Sequence, residues 1–265
     1  MGSAAAWWWR GAAILGAVIV LLGISLAVAS PGTVSSPGAA EPTSEPVAEQ
    51  PTAPPSPPVV LPPADTTIPL IPVEQRPVAA FLGDSITRGM TDPDFGVGEH
   101  SWFYGLLDDT YGVVRWGGTT AENGITTAEM VGLVWDALYP TPDLLIVHGG
   151  TNDVSGEITP PVVVNNLERI RVAAASVGVP LVVCTLPPRA EPAADARVLA
   201  VNEAIEYWAA ANDVTVLDTG SVLRNPTVGG WIAGYSADGL HPTPVAAYQM
   251  SRGAAETLRK IPLGV

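Results

Sequence analysis

The stretch Val78-Ala79-Ala80-Phe81-Leu82-Gly83-Asp84-Ser85-Ile86-Thr87-Arg88-Gly89 decides how the chain folds. Its first five residues form an unbroken apolar run, short enough for a strand buried on both faces. A glycine, an acid and a hydroxyl then arrive together where the strand must end. Glycine permits a sharp turn, and a serine just past a strand presents its oxygen at the sheet rim, where open α/β sheets bind ligands. Alone, Gly83-Asp84-Ser85 also describes an ordinary Asx or Ser turn.

The pattern downstream repeats this alternation. Strands are expected at 78–82, 112–116, 143–148, 179–186 and 213–217. Helices are expected at 101–110, 127–139, 161–177, 193–211 and 244–260. The helix at 127–139 carries Met130, Leu133, Val134 and Leu138 on one face. Its N-cap is Thr126, with Glu129 three residues on, a capping-box spacing. Non-alternating strands separated by helices predict a parallel sheet covered on both sides, a doubly wound three-layer α/β domain of about five strands.

The 265 residues divide by composition. Residues 11–29 are apolar, preceded by Trp7-Trp8-Trp9-Arg10, and nineteen residues at about 1.5 Å each approach a bilayer's hydrocarbon thickness. Residues 1–30 therefore predict a signal peptide or a signal-anchor transmembrane helix with its N-terminus inside. Ala27-Val28-Ala29 fits cleavage, and no cysteine follows to take a lipid. Residues 31–77 hold fourteen prolines and a single base, Arg76. Such a segment cannot bury enough apolar surface to fold, and a disordered, extended linker is expected. The globular domain is 78–265. The protein is thus expected outside the cytoplasm, secreted or anchored to the cell membrane by its N-terminal helix.

A net charge of -14 argues against a nucleic-acid partner. The one cysteine, Cys184, excludes an internal disulfide and reads as a core thiol. His100, His148 and His241 have no metal-ligand spacing. His148 closes an apolar strand and reads as a core histidine. A monomer is the expected state.

If the strands are parallel, their C-terminal ends share one edge. That edge receives Gly83-Asp84-Ser85, Gly117-Gly118-Thr119-Thr120 and Gly149-Gly150-Thr151-Asn152-Asp153, and Asp238-Gly239-Leu240-His241 precedes the last helix. These are the parts of nucleophilic acyl transfer. A serine hydroxyl needs a base, and histidine titrates near neutrality. A carboxylate three residues before the histidine can orient its ring. The Ser85 and Gly117 N–H groups and the Asn152 amide are candidate oxyanion donors. Asp84 and Asp153 are expected to cap or brace. The loop Gly229-Gly230-Trp231-Ile232-Ala233-Gly234-Tyr235 is either a lining of the substrate site or a packed loop.

Gly83-Asp84-Ser85, Gly117, Gly150-Thr151-Asn152-Asp153 and Asp238-x-x-His241 together resemble the four blocks of the SGNH (GDSL-like) hydrolases, in that family's order. The resemblance implies a flavodoxin-like α/β/α fold and ester hydrolysis without metal or cofactor. It makes Ser85 the nucleophile, His241 the base, Asp238 its orienter, and Gly117 and Asn152 members of the oxyanion hole. The second block departs from the family pattern. Arg115-Trp116-Gly117-Gly118 lacks the usual asparagine, a further match follows at Gly124-Ile125-Thr126-Thr127, and Gly118 competes with Gly117 as donor. Acyl or acetyl esters of lipids or envelope glycans are the expected substrates. A membrane-tethered acyltransferase and a non-catalytic glycan-binding module on the same fold are the alternatives.

Overall fold

A computed structural model describes residues 71–89, 101–107 and 112–261. The apolar segment at 11–29, most of the proline-rich stretch, and His100 lie outside the described residues. Among the described residues no helix is long and apolar enough to cross a membrane.

Five strands, β1 (Val78–Gly83), β2 (Arg115–Ala121), β3 (Leu144–His148), β4 (Leu181–Cys184) and β5 (Thr215–Leu217), form one sheet in the order β2-β1-β3-β4-β5. Every neighbouring pair is parallel. Among the described residues six α-helices accompany them: α1 (Ser85–Arg88), α2 (Thr127–Ala137), α3 (Thr151–Ser155), α4 (Pro160–Ser176), α5 (Pro192–Ala211) and α6 (Pro244–Leu258). Successive strand residues point to opposite faces. Leu82, Leu145, Val147 and Val183 meet Met130 of α2, Leu167 of α4 and Val198 of α5 on one side. Phe81, Ile146 and Val182 meet Trp102, Phe103 and Met250 of α6 on the other. Both faces are buried, which is why these strands show no polar alternation. The strand order reverses beside β1, and the crevice at that reversal is where such sheets place ligands.

The capping box at α2 forms as read. Thr126 Oγ1 accepts from the Glu129 N–H, and Glu129 accepts from the Thr126 N–H at 2.7 Å. The second strand differs from expectation. Val113 and Val114 are buried, but as a loop whose N–H groups both donate to the Leu106 carbonyl. The strand begins only at Arg115 and runs through Gly117, Gly118, Thr119 and Thr120. Apolar content marked burial there, whereas pairing with β1 set the strand. The expected helix at 101–110 is a 3-10 turn at Trp102–Leu106 over the described part. Its Gly105 abuts Ser251 of α6, whose hydroxyl donates to the Trp102 carbonyl. β4 and β5 are shorter than expected, and α3 is a single turn not anticipated from sequence.

Candidate active site

The turn after β1 is built for close approach. A side chain at Gly83 would run into the Thr87 hydroxyl and come within 2.9 Å of the His148 carbonyl. Asp84 follows in extended conformation and caps α1, its Oδ1 accepting from the Ile86 N–H at 3.0 Å. Ser85 is therefore the first residue of α1, and it is buried. Thr87 ties the far end down, its carbonyl accepting from Ser101 Oγ at 2.6 Å and its hydroxyl from Trp102 Nε1 at 3.2 Å. Burial pushes the Asp84 carboxyl up to about 7, the Ile86 N–H opposing and nearby Asp153 adding to the rise.

The fold brings the other end of the chain to this turn. Ser85 Oγ lies 2.9 Å from His241 Nε2, across 156 residues of sequence. His241 Nδ1 lies 2.7 Å from Asp238 Oδ2. Asp238 Oδ1 accepts from the N–H groups of Leu240 and His241 at 2.9 and 2.8 Å, closing the tight turn that the spacing of three predicted. An ionised carboxylate only accepts, so the Nδ1 hydrogen points at Asp238 and Nε2 is left to take the Ser85 hydroxyl. Partial burial raises the Asp238 carboxyl, but the hydrogen bonds from the His241 ring and from the two N–H groups outweigh it. The net effect holds it well below the usual carboxylate range.

Asn152 enters from the end of β3. Gly149 abuts Met130, and Gly150 turns with a φ of 125° that favours glycine, placing Asn152 in the first turn of α3. Its Nδ2 donates to the Ile125 carbonyl at 2.9 Å, so the amide is held on the loop between β2 and α2. Asp153 braces: its carboxylate accepts from the Thr127 N–H at 2.9 Å and from Thr127 Oγ1 at 2.6 Å, anchoring the start of α2.

Gly117 is not at this edge. The β1–β2 register pairs Ala79 with Trp116 and Ala80 with Gly118, so Gly117 is the bulged residue between them. It stands four residues before Ala121, the partner of Gly83, or about 13 Å back along the strand. A Cβ there would meet the Val78 side chain at 2.6 Å and the Ala79 carbonyl at 3.1 Å, so close packing against β1 accounts for the glycine. Gly118 is likewise within the strand. The glycine beyond the C-terminal end of β2 is Gly124, at a φ of 81° and next to the Ile125 carbonyl that Asn152 grips. The signal for it was the Gly-x-Thr-Thr match at 124–127.

His148 is wholly buried with its ring centroid 5.9 Å from that of Trp102. Neither ring nitrogen has a hydrogen-bond partner among the described residues, so it is a core histidine without the satisfaction expected of one. Burial pulls it down to about 4, which keeps it neutral. Cys184 is buried in β4, and its thiol is pushed up by burial. The loop at 229–235 is packed: Trp231 and Tyr235 lie against the core on the α6 side, and Trp231 Nε1 donates to the Gly239 carbonyl at 3.1 Å. A pocket of about 370 Å³ opens beside the hydroxyl, lined by Ser85, Ile86, Gly89, His241, Pro242 and Pro244. Among the described residues no group of three His, Cys, Asp or Glu side chains could hold a metal ion.

The model of the GDSL-like lipase/acylhydrolase family matches residues 81–248, and the chain belongs to that family. It is an ester-hydrolysing enzyme. Among solved structures, a GDSL-like lipase from Bacteroides thetaiotaomicron VPI-5482 is 21% identical with a TM-score of 0.57, covering 71% of this chain and 91% of its own. TesA is 21% identical with a TM-score of 0.56, covering 70% and 99%. An acetylxylan esterase from Geobacillus stearothermophilus is 16% identical with a TM-score of 0.57, covering 69% and 94%. At these identities the likeness is one of fold. No curated protein matched the chain.

Proposed function

We propose that the protein cleaves carboxylic esters through a Ser85–His241–Asp238 triad and an acyl-enzyme. The relay from hydroxyl to imidazole to carboxylate, at 2.9 and 2.7 Å, carries this reading. His241 Nε2 takes the Ser85 proton as Oγ attacks the acyl carbon, and the same nitrogen returns it to the leaving alcohol. Asp238 steadies the imidazolium between the two transfers. Water, activated by Nε2, then attacks the acyl-enzyme, releasing the acid and restoring Ser85. The oxyanion is received by the Ser85 N–H, by Asn152 Nδ2 and by the N–H of Gly124, which takes over the role first assigned to Gly117.

The substrates we infer are acyl or acetyl esters of lipids or envelope glycans. The mostly apolar lining of the pocket beside Ser85 favours an acyl group there. The acetylxylan esterase that shares the fold supports including acetylated glycans. The apolar segment at 11–29 followed by a proline-rich stretch supports an extracytoplasmic position, tethered or released. A panel of p-nitrophenyl acetate, p-nitrophenyl palmitate and acetylated xylan, assayed with the full chain and with Ser85→Ala, tests the reading. Hydrolysis is expected to vanish in a Ser85→Ala protein that keeps its circular dichroism spectrum. Retained activity in that variant would remove Ser85 from the mechanism.

A further inference from the structure

The Asp238–His241 turn lies near the surface: the Asp238 side chain is 46% exposed and that of His241 17%. Local hydrogen bonds shape the turn but do not aim it at Ser85. Beyond the Ser85–His241 contact and the pairing of 234–236 with 242–243, the turn is held from other segments through the carbonyl of Gly239, in its middle. That oxygen accepts from the Ala190 N–H at 3.0 Å and from Trp231 Nε1 at 3.1 Å. Gly239 has a φ of 76°, and a side chain there would collide with the Ala190 methyl, so the turn sits directly on Ala190.

The two donors share one anchor. Asp195, in the first turn of α5, is buried. Its Oδ1 accepts from the Arg189 N–H at 2.9 Å, the residue before Ala190. Its Oδ2 accepts from the Gly230 N–H at 3.3 Å, the residue before Trp231. Arg224, which pairs with Trp231 in an antiparallel bridge, grips both oxygens, Nη1 at 2.5 Å and Nη2 at 2.9 Å. One carboxylate thus gathers the segments at 189, 224 and 230, and two of them pass directly to the groups that hold Gly239.

We propose that Asp195, with Arg224, is the positioning residue of the acid–base pair: it sets the Ala190 N–H and the Trp231 indole on the Gly239 carbonyl and so holds His241 Nε2 at Ser85. Asp195 touches neither substrate nor the reacting atoms, and its effect is felt in kcat. The proposal rests on the triad reading above.

The test compares Asp195→Asn and Trp231→Phe, the second removing the indole N–H together with part of the ring's bulk while keeping an aromatic ring against the core. With p-nitrophenyl acetate, kcat is expected to fall about tenfold to a hundredfold in Asp195→Asn, as for a small misplacement of a catalytic group, with KM within about twofold. Trp231→Phe falls in the same direction by about tenfold, and the double variant loses less than the product of the two, because both act through one carbonyl. The downfield proton resonance of the His241 Nδ1–Asp238 hydrogen bond, assigned by its loss in His241→Ala, shifts or broadens in both variants. It stays in place in Glu168→Gln, which breaks a remote pair on α4. If Asp195→Asn does not fold, Trp231→Phe decides alone. Unchanged kcat and an unmoved resonance in the folded variants overturn the proposal. Activity surviving in Ser85→Ala would instead overturn the triad and leave the placement of the turn as a purely structural finding.

Discussion

The two halves of the candidate site are held by different means. Ser85 stands on a strand-to-helix turn pressed into the core, with Gly83 admitting no side chain and Ile86 wholly buried beside it. The Asp238–His241 pair stands on a loop bound by hydrogen bonds to other loops, with Asp195 behind them. Packing fixes the first half, because a close-packed interior resists displacement in every direction. Directional bonds fix the second, and each can be removed singly. Such a division leaves Ser85, the proposed nucleophile, the more firmly held and His241, the proposed base, the more easily adjusted.

The largest effect should come from Ser85, the proposed nucleophile. Ser85→Ala is expected to lower kcat by about four to six orders of magnitude, as loss of a triad serine does, without loss of fold. Asn152→Ala should lower kcat by about a hundredfold to a thousandfold with a smaller change in KM, as for one oxyanion donor. Steady-state rates with p-nitrophenyl acetate read both. A fall confined to KM in Asn152→Ala would assign the amide to substrate binding instead.

Gly83→Ala sharpens the contrast by striking the packed half. The added methyl meets the Thr87 side chain and the His148 carbonyl, and overpacking of this kind costs about 1–3 kcal/mol. Urea denaturation should show that loss together with inactivation. A variant with unchanged stability would mean that the turn yields more easily than its contacts imply.

A separate effect concerns pH. Asp84 has a folded-state pKa raised to about 7 from an ordinary value of 3.8. The folded protein therefore binds this proton more tightly than the unfolded chain. Its contribution to stability is full below about pH 4, declines as pH rises towards 7, and is absent above. Asp84→Asn should flatten that decline in urea midpoints measured from pH 4 to 8. A slope equal to the parent's would show that Asp84 is ionised throughout.

Much of this was legible in sequence because the controlling contacts are short. Gly83-Asp84-Ser85 declared a turn, Thr126 and Glu129 a helix start, and Asp238 and His241 a carboxylate–imidazole pair; each needs only neighbours within three residues. Gly117 misled for the opposite reason. The apolar pair Val113-Val114 marked the strand too early, and nothing local announced the bulge that sets Gly117 beside Ala79. His148 reads as buried from sequence, but that its ring nitrogens find no partner among the described residues depends on what surrounds it in space. The link from Asp195 to Arg224 and Gly230 spans 29 and 35 residues and follows no periodic pattern.

By itself, then, the sequence determined the alternation of strands and helices, the parallel sheet, the family, and the residue types arriving at each turn. These follow from hydrophobic period, glycine's backbone freedom and hydrogen bonds closing over a few residues. Only the tertiary structure decided which glycine passes beyond the end of β2, that Ser85 and His241 meet, and which buried carboxylate steadies the turn between Asp238 and His241. Strand register and long-range polar contacts are settled by what is buried against what, and that is a property of the assembled core.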